Sequence, residues 1–404
     1  MTVSLIKHYT SRAKRPNRRS FEVSPLVRTD QIKLLLSSAI FLLLAAGCSK
    51  DEVIDYNKRA SQKYAQNNFL GAAADYSEVI RLQPNDAVAY YNRGRAKDEA
   101  GESVGAITDY DEAIGLNPRY AIAYNARAKA KNRRMEYPEA IADCTKAIRI
   151  DPRYAEAYYT RSESKRMIHD YLGEVADRKA IVSLHPQDPK AYNDVGLAKA
   201  NIFDHKGAIA AYSEAIRLHA NYSEAYGLRA GEKRLAKDYN GAVSDYNEAI
   251  RLNPKDADSY SLRAYCKEDL HDYRGAIADY SQALGLTKSL APTYASRAGA
   301  KAKFADYRGA IADLTEAIGV NPDNDDFYTQ RADAKLMLHD YQGAIADCSH
   351  VLNRNGYDSE AFTKRAQAKS EIGDNEGAIK DLTEAVRINP LNAAAQAKLH
   401  ELGH

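Results

Sequence analysis

Four stretches of the chain share one phrase: 71–84 GAAADYSEVIRLQP, 105–118 GAITDYDEAIGLNP, 275–288 GAIADYSQALGLTK and 309–322 GAIADLTEAIGVNP. The glycine that opens it falls at 71, 105, 173, 207, 241, 275, 309, 343 and 377, with Glu139 in the one gap. Every spacing is a multiple of 34. Such a period marks a row of stacked supersecondary units, none of which buries its apolar face alone. Counting back, the repeats begin at 53, 87, 121, 155, 189, 223, 257, 291, 325 and 359, and the last ends at Asn392.

Numbered from those starts, each unit reads as helix, short turn, helix. Positions 4, 7, 8 and 11 of the first helix fall on one stripe. Position 4 is aromatic every time: Tyr56, Tyr90, Tyr124, Tyr158, Tyr192, Tyr226, Tyr260, Tyr294, Tyr328 and Phe362. Position 8 is small, as in Gly94, Ala128 and Ala332, so that two helices can approach closely. Asp170, Asp272 and Asp340 stand where the second helix needs an N-cap. Pro84, Pro118, Pro152 and Pro254 close their repeats, since proline cannot continue a helix. Residues 393–404, AAAQAKLHELGH, predict an end helix that covers the last apolar face.

Over residues 53–392 the array resembles tetratricopeptide repeats. A small residue at position 8, Ala at 20 and 27, and Pro at 32 match that pattern. The departures are systematic: the family's Trp at 4 is Tyr here, its Leu at 7 is Arg and its Tyr at 11 is Lys. The resemblance implies an all-α, right-handed superhelical solenoid of ten 34-residue helix-turn-helix units plus a C-terminal capping helix. It also implies that the chain binds proteins.

The arginine at position 7 has a counterpart. Nine repeats carry Arg there and nine carry Asp at position 23, and the two exceptions, Val195 and Ala211, lie in the same repeat. Removing one partner of a buried ion pair costs about 3–5 kcal/mol, whereas replacing both can be neutral. Joint loss therefore points to pairing within a repeat: Arg93 with Asp109, Arg127 with Asp143, Arg263 with Asp279 and Arg297 with Asp313. These are scaffold residues.

By the resemblance, positions 2, 5, 9, 12 and 13 line an inner groove. Repeats 2 to 4 offer Tyr91, Arg95, Asn125, Lys129, Asn132, Arg133, Tyr159 and Arg166 there. Tyr and Arg are frequent interface anchors. The expected occupant is an extended or helical peptide of acidic character. The chaperone-tail clamp of the family needs Lys at 5 and Asn at 9 in one repeat, and no repeat has both.

The N-terminus has another use. Residues 34–47 read LLLSSAIFLLLAAG, followed by Cys48. That run is short for a membrane span and suits the core of a signal peptide, with Arg28 and Lys33 before it. The small residues Ala45, Ala46 and Gly47 with Cys48 resemble the lipobox of bacterial lipoproteins, although Ala45 stands where Leu is usual. The resemblance implies cleavage before Cys48 and acylation of its sulfur, with residues 1–33 as n-region and 48–52 as a short tether. Ser49, rather than Asp, favours the outer membrane by the enterobacterial sorting rule. The alternative is an uncleaved signal anchor with the repeats facing the cytosol as a regulatory adaptor. The long n-region suggests translation from Val27.

Charge follows this division. Residues 1–47 hold eight basic and two acidic side chains of the chain's 57 and 55, which leaves the remainder net acidic by about four. That balance argues against nucleic-acid binding. Cys48, Cys144, Cys266 and Cys348 lack the spacing of a zinc or redox site. His169, His271 and His339 read as turn residues, since no repeat supplies a second ligand at helical spacing. No nucleotide-binding or nucleophile motif occurs. The expectation is a lipid-anchored scaffold of a bacterial envelope, not an enzyme, with protein partners and no cofactor, metal, nucleic acid or small-molecule substrate. Mass spectrometry of the protein from its own cells is expected to return no peptide from residues 1–26; a single such peptide would overturn the Val27 start.

Overall fold

The computed structural model describes residues 50–287 and 291–403. The expectations placed on residues 1–49, Cys48 and the export signal among them, lie outside the described residues. The chain divides into two compact units, Met1–Arg134 and Met135–His404. The described part of the first holds five helices: α1 (50–65), α2 (Phe69–Leu82), α3 (Ala87–Glu99), α4 (Ser103–Leu116) and α5 (Ala121–Arg133). The second runs from α6 (Tyr137–Ile150) to α21 (Ala393–Glu401). No strand occurs among the described residues. Within each unit every helix packs against its neighbours in sequence, joined by short turns, so antiparallel pairs stack one on the next as a solenoid.

The first helices of repeats 2 to 10 open at Ala87, Ala121, Ala155, Pro189, Ser223, Ala257, Ala291, Asp325 and Ser359, the residues at which the sequence places the repeat starts. Repeat 1 differs. Its helix already runs at residue 50, so residues 50–52 are helix and not tether. Nothing in that stretch breaks a helix, and Asp51 and Glu52 favour the positive end of its dipole. At the other end α21, with its C-cap Leu402, lays Ala395 and Leu399 over Ala366, Ala378, Leu382 and Ala385.

The core is built from small residues. Ala298, Ala310 and Ala317 pack with Leu314 and Phe327 in one cluster, and the same positions recur as buried alanines in the other repeats. Each turn between the two helices of a repeat holds one left-handed residue, at position 15. Eight of these are not glycine: Asn67, Met135, His169, Phe203, Lys237, His271, Ala305 and His339, with φ of 58–63°. His169, His271 and His339 each share a hydrogen bond through Nδ1 with the tyrosine hydroxyl two residues on, at 2.7, 3.1 and 2.7 Å. The following Asp caps the second helix. Asp306 Oδ1, for example, accepts from the Gly309 amide at 2.9 Å. A Cβ on Gly309 would lie 2.1 Å from Asp306 Oδ2, so this cap requires glycine. In repeat 3, Glu136 makes no such cap bond, and Glu139 replaces the glycine.

Position 7 supplies the polar spine. Arg93, Arg161, Arg229, Arg263, Arg297, Arg331 and Arg365 each donate from Nε and Nη2 to both oxygens of the Asp at position 23 of the same repeat. The bonds run 2.8–3.0 Å from Nε and 2.6–2.8 Å from Nη2. Lys at position 11 binds the same carboxylate at 2.7–2.9 Å in these repeats. The aspartates are 2–6% exposed and the arginines 15–19%. Each guanidinium also lies over the ring at position 4, at 5.4–5.7 Å. Arg127 lies in the first unit and Asp143 in the second; within its own unit Arg127 bonds Asp111 at 2.5 Å.

The remaining nitrogen, Nη1, reaches back to position 25 of the preceding repeat: Arg93 to Ser77, Arg161 to Thr145, Arg229 to Ser213, Arg263 to Asn247, Arg297 to Ser281, Arg331 to Thr315 and Arg365 to Ser349. This tie accounts for repeat 5. Position 25 of repeat 4 is Lys179, and an arginine at 195 would place its guanidinium against that ammonium. Val195 and Ala211 stand there instead, both buried, and Lys199 turns to the Gly207 carbonyl at 3.2 Å and Asp204 at 3.7 Å. Repeat 5 thus shows how the pair can be deleted. Asp313→Ala alone, leaving Arg297 and Lys301 face to face, is expected to destabilise by about 3–5 kcal/mol. Arg297→Val with Asp313→Ala should recover most of that loss in urea unfolding. A double variant no more stable than the single one would show that the two residues do not act as a pair.

Candidate functional site

In the first unit, Arg95 carries the groove. Its Nη2 donates to the Tyr64 hydroxyl at 3.1 Å, and its guanidinium stacks over Tyr64 at 4.9 Å and Tyr91 at 5.8 Å. Tyr91 also meets Tyr120, ring centres 5.3 Å apart. Ser61, Tyr64, Tyr76, Asn92 and Arg95 line a recess of about 220 Å³. Arg133 pairs with the largely buried Asp98. Lys129 and Asn132 are half-buried. Asn125 is 1% exposed and offers a partner no surface.

Tyr159 and Arg166 lie in the second unit, beside a feature that the sequence reading passed over. Position 20 is Ala in every repeat but the fourth, where it is Glu174. Position 24, elsewhere Tyr, Cys or Leu, is Arg178. Both are buried, 3% and 6% exposed. Arg178 lies 4.3 Å from the centre of the Tyr159 ring, bonds Glu163 through Nη2 and reaches Asp194 of repeat 5 at 3.1 Å. Glu163 also takes Arg166 at 2.7 Å. The junction from repeat 4 to repeat 5 is therefore tied in the opposite sense to the others: the arginine comes from the second helix, α8 (Tyr171–Leu184), and reaches forward. Burial pushes the Glu174 and Asp194 carboxyls above the ordinary carboxylate range, against the pull of Arg178. The signal in the sequence is the double break of an otherwise constant pair of core positions.

A recess of the second unit lies farther along, in repeats 6 to 9. A cleft of about 510 Å³ is lined by Arg234, Tyr265, Glu268, Asp269, Ala295, Ser296, Gly299, Lys303 and Gln330. These occupy positions 5, 6, 9, 12 and 13, so position 6 joins the groove set. Repeat 8 makes the hollow: its groove face presents Ala295, Ser296 and Gly299, and a Cβ on Gly299 would meet open space. The walls are braced internally. Tyr265 and Ser296 share a hydroxyl hydrogen bond of 2.7 Å, the Tyr280 hydroxyl donates to Glu268 at 2.6 Å, and Lys303 lies 3.7 Å from Glu268. Among the described residues no group of three His, Cys, Asp or Glu side chains is placed to hold a metal, and no helix is long and apolar enough to cross a membrane.

Stacked helix pairs of fixed length, with a constant core and a variable recessed face, define a helical-repeat solenoid. The chain carries tetratricopeptide repeats: models of the tetratricopeptide repeat match residues 57–114 and 93–155, and a second such model matches residues 359–390. One solved structure shares the fold over more than half of this chain, and two others show a weaker likeness. The C-terminal part of a TPR repeat-containing protein from Cytophaga hutchinsonii is 16% identical, with a TM-score of 0.53 over 58% of this chain and 97% of that one. A tetratricopeptide repeat protein from Parabacteroides merdae is 18% identical, with a TM-score of 0.45 over 62% of this chain and 99% of that one. YrrB, described as a TPR protein with an unusual peptide-binding site, is 19% identical, with a TM-score of 0.42 over 48% and 97%. No curated protein matches the sequence.

The buried carboxyls of repeat 4 give a pH test. With raised values, Glu174 and Asp194 hold their protons more tightly folded than unfolded, so their ionisation disfavours the fold at neutral pH. The penalty disappears as pH falls below the unfolded carboxylate value of about 4. Glu174→Gln is expected to raise the urea midpoint near pH 7 and to lose that advantage near pH 4. An equal gain at both, or a loss near pH 7, would contradict the assignment.

Proposed function

We propose that this chain is a protein-interaction scaffold, not an enzyme, and that its second unit receives an extended or helical segment of a partner in the cleft of repeats 6 to 9. The observation that carries the reading is the hollow floor of that cleft. Ala295, Ser296 and Gly299 leave room for a ligand backbone, while tyrosine and charged side chains stand around them. Such a mixture of open floor and aromatic or charged walls suits peptide side chains. Arg95, Arg133 and Arg166, the cations on which an acidic partner would draw in repeats 2 to 4, are already engaged by Tyr64, Asp98 and Glu163. That favours the later repeats for the main contact.

The anchoring part of the proposal rests on sequence. Cys48, following the apolar run 34–47, is the site of acylation, and the acyl chains hold the scaffold at a bacterial envelope membrane. Two or three chains make such attachment durable. The partner is then a component of an envelope assembly.

A photo-crosslinking residue in place of Gln330, with a second in place of Tyr159, tests both parts in the native cell. Adducts with envelope proteins in the membrane fraction from Gln330 are the expected result. Cys48→Ser should move the chain out of that fraction. Adducts only with cytosolic proteins would overturn the envelope reading in favour of an adaptor. Capture from Tyr159 alone would return the contact to repeats 2 to 4.

A further inference from the structure

Repeats 6 and 7 carry the same buried tyrosine at position 24, but only one of the two is satisfied. In repeat 7 the Tyr280 hydroxyl donates to Glu268, the residue at position 12 of the first helix. In repeat 6 position 12 is Arg234. A guanidinium has no lone pair with which to accept. The hydroxyl of Tyr246, a side chain with no exposed surface, consequently has no partner, and neither has the buried Nε of Arg234. Buried donors are almost always paired in native proteins, and what both of these lack is an acceptor.

Arg234 is unusual in a second respect. It makes no hydrogen bond or ion pair among the described residues, unlike the spine arginines at position 7. It lines the 510 Å³ cleft. Its charge acts on Tyr246 and on Cys266, opposing the upward push that burial gives both. Of the two acidic residues beside it in the cleft, Glu268 is held by Tyr280 and Lys303. Asp269 is exposed and lies beyond ion-pair distance of Arg234 among the described contacts.

We infer that the cleft is a carboxylate receptor: Arg234, which lines it and lacks an acceptor, takes an Asp or Glu side chain of the bound segment. This rests on the reading that the cleft holds a partner segment, and it adds the chemistry of that segment. A carboxylate presents two oxygens to the planar fork of a guanidinium. The floor of Ala295, Ser296 and Gly299 lets the segment's backbone come close enough for a short acidic side chain to reach Arg234. Asp269, exposed on the same cleft, opposes an acidic segment by like charge.

The test selects short random peptides, flanked on both sides so that no free terminus is offered, against the full chain with a photo-crosslinker at Gln330. Peptides that crosslink there are expected to carry Asp or Glu. Their affinity should fall about tenfold with Arg234→Met, a loss equivalent to about 1.4 kcal/mol. Changing the peptide's acid to its amide should cause the same loss, with no further loss when both changes are combined. Binding should also weaken between roughly 50 and 300 mM salt. Asp269→Asn, which removes that like charge and leaves Arg234 in place, should tighten binding. Peptides that crosslink at Gln330 without an acidic residue, or that bind the Arg234→Met chain undiminished, would overturn the carboxylate assignment and leave the cleft as a peptide site. Absence of any crosslinking peptide would overturn the cleft reading and this inference with it.

Discussion

A buried carboxylate held between two cations is the constraint from which the rest of each repeat follows. Once Asp occupies position 23, an arginine at 7 and a lysine at 11 must meet it, because an ionised carboxylate out of water is tolerated only when paired. The arginine then needs a flat apolar surface beside it, which the ring at position 4 provides. Its spare nitrogen needs an acceptor, which position 25 of the preceding repeat provides. The lysine extends to the carbonyl of the glycine at position 19, as Lys335 does to Gly343 at 3.2 Å, and so joins the first helix to the start of the second. Five positions are thereby coupled to one charge. The apolar core, mostly alanine, offers few side-chain shapes with which to fix alignment. Buried polar contacts of this kind are best attested as devices that set register.

This arrangement also decides where function can reside. The spine occupies one stripe of the first helix and leaves positions 5, 6, 9, 12 and 13 outside it. Those positions differ from repeat to repeat, and the differences produce different surfaces from one scaffold. In the first unit they give Arg95 clasped by tyrosines. In repeats 6 to 9 they give a hollow beneath a guanidinium that nothing in the described chain satisfies.

Much of this was legible from the period alone. Helix starts, the capping aspartates and the solvating end helix follow from residues within a few positions of each other. The pairing of positions 7 and 23 could be read because repeat 5 lacks both charges, so that one chain records its own double substitution. What the sequence hid depends on contacts across repeats. The hydroxyls and amides at position 25 look like ordinary solvent-facing residues until the arginine of the next repeat is placed on them. Arg178 is visible as an odd residue at a core position, but Glu163 and Asp194, which make it tolerable, are identified only by geometry. Arg234 looks like any other charged residue until the tyrosine behind it is found without an acceptor. The cationic groove of repeats 2 to 4 reads as free charge in the sequence because the residues that engage it are equally ordinary.

The reversed tie at the junction of repeats 4 and 5 has a consequence for how the solenoid comes apart. In a quasi-one-dimensional array, stability is a sum of each repeat's own term and its coupling to the next. Elsewhere in the second unit that coupling includes an arginine and an uncharged hydroxyl or amide, whose strength is insensitive to protons. Between repeats 4 and 5 it runs through Arg178 and Asp194, a contact that proton concentration and ionic strength both tune. An unfolding front travelling along the second unit therefore meets there a boundary whose height is set by the solution, as it does more weakly where Lys364 pairs with Asp333 of the preceding repeat, and the length of the cooperative segment on either side changes with the medium.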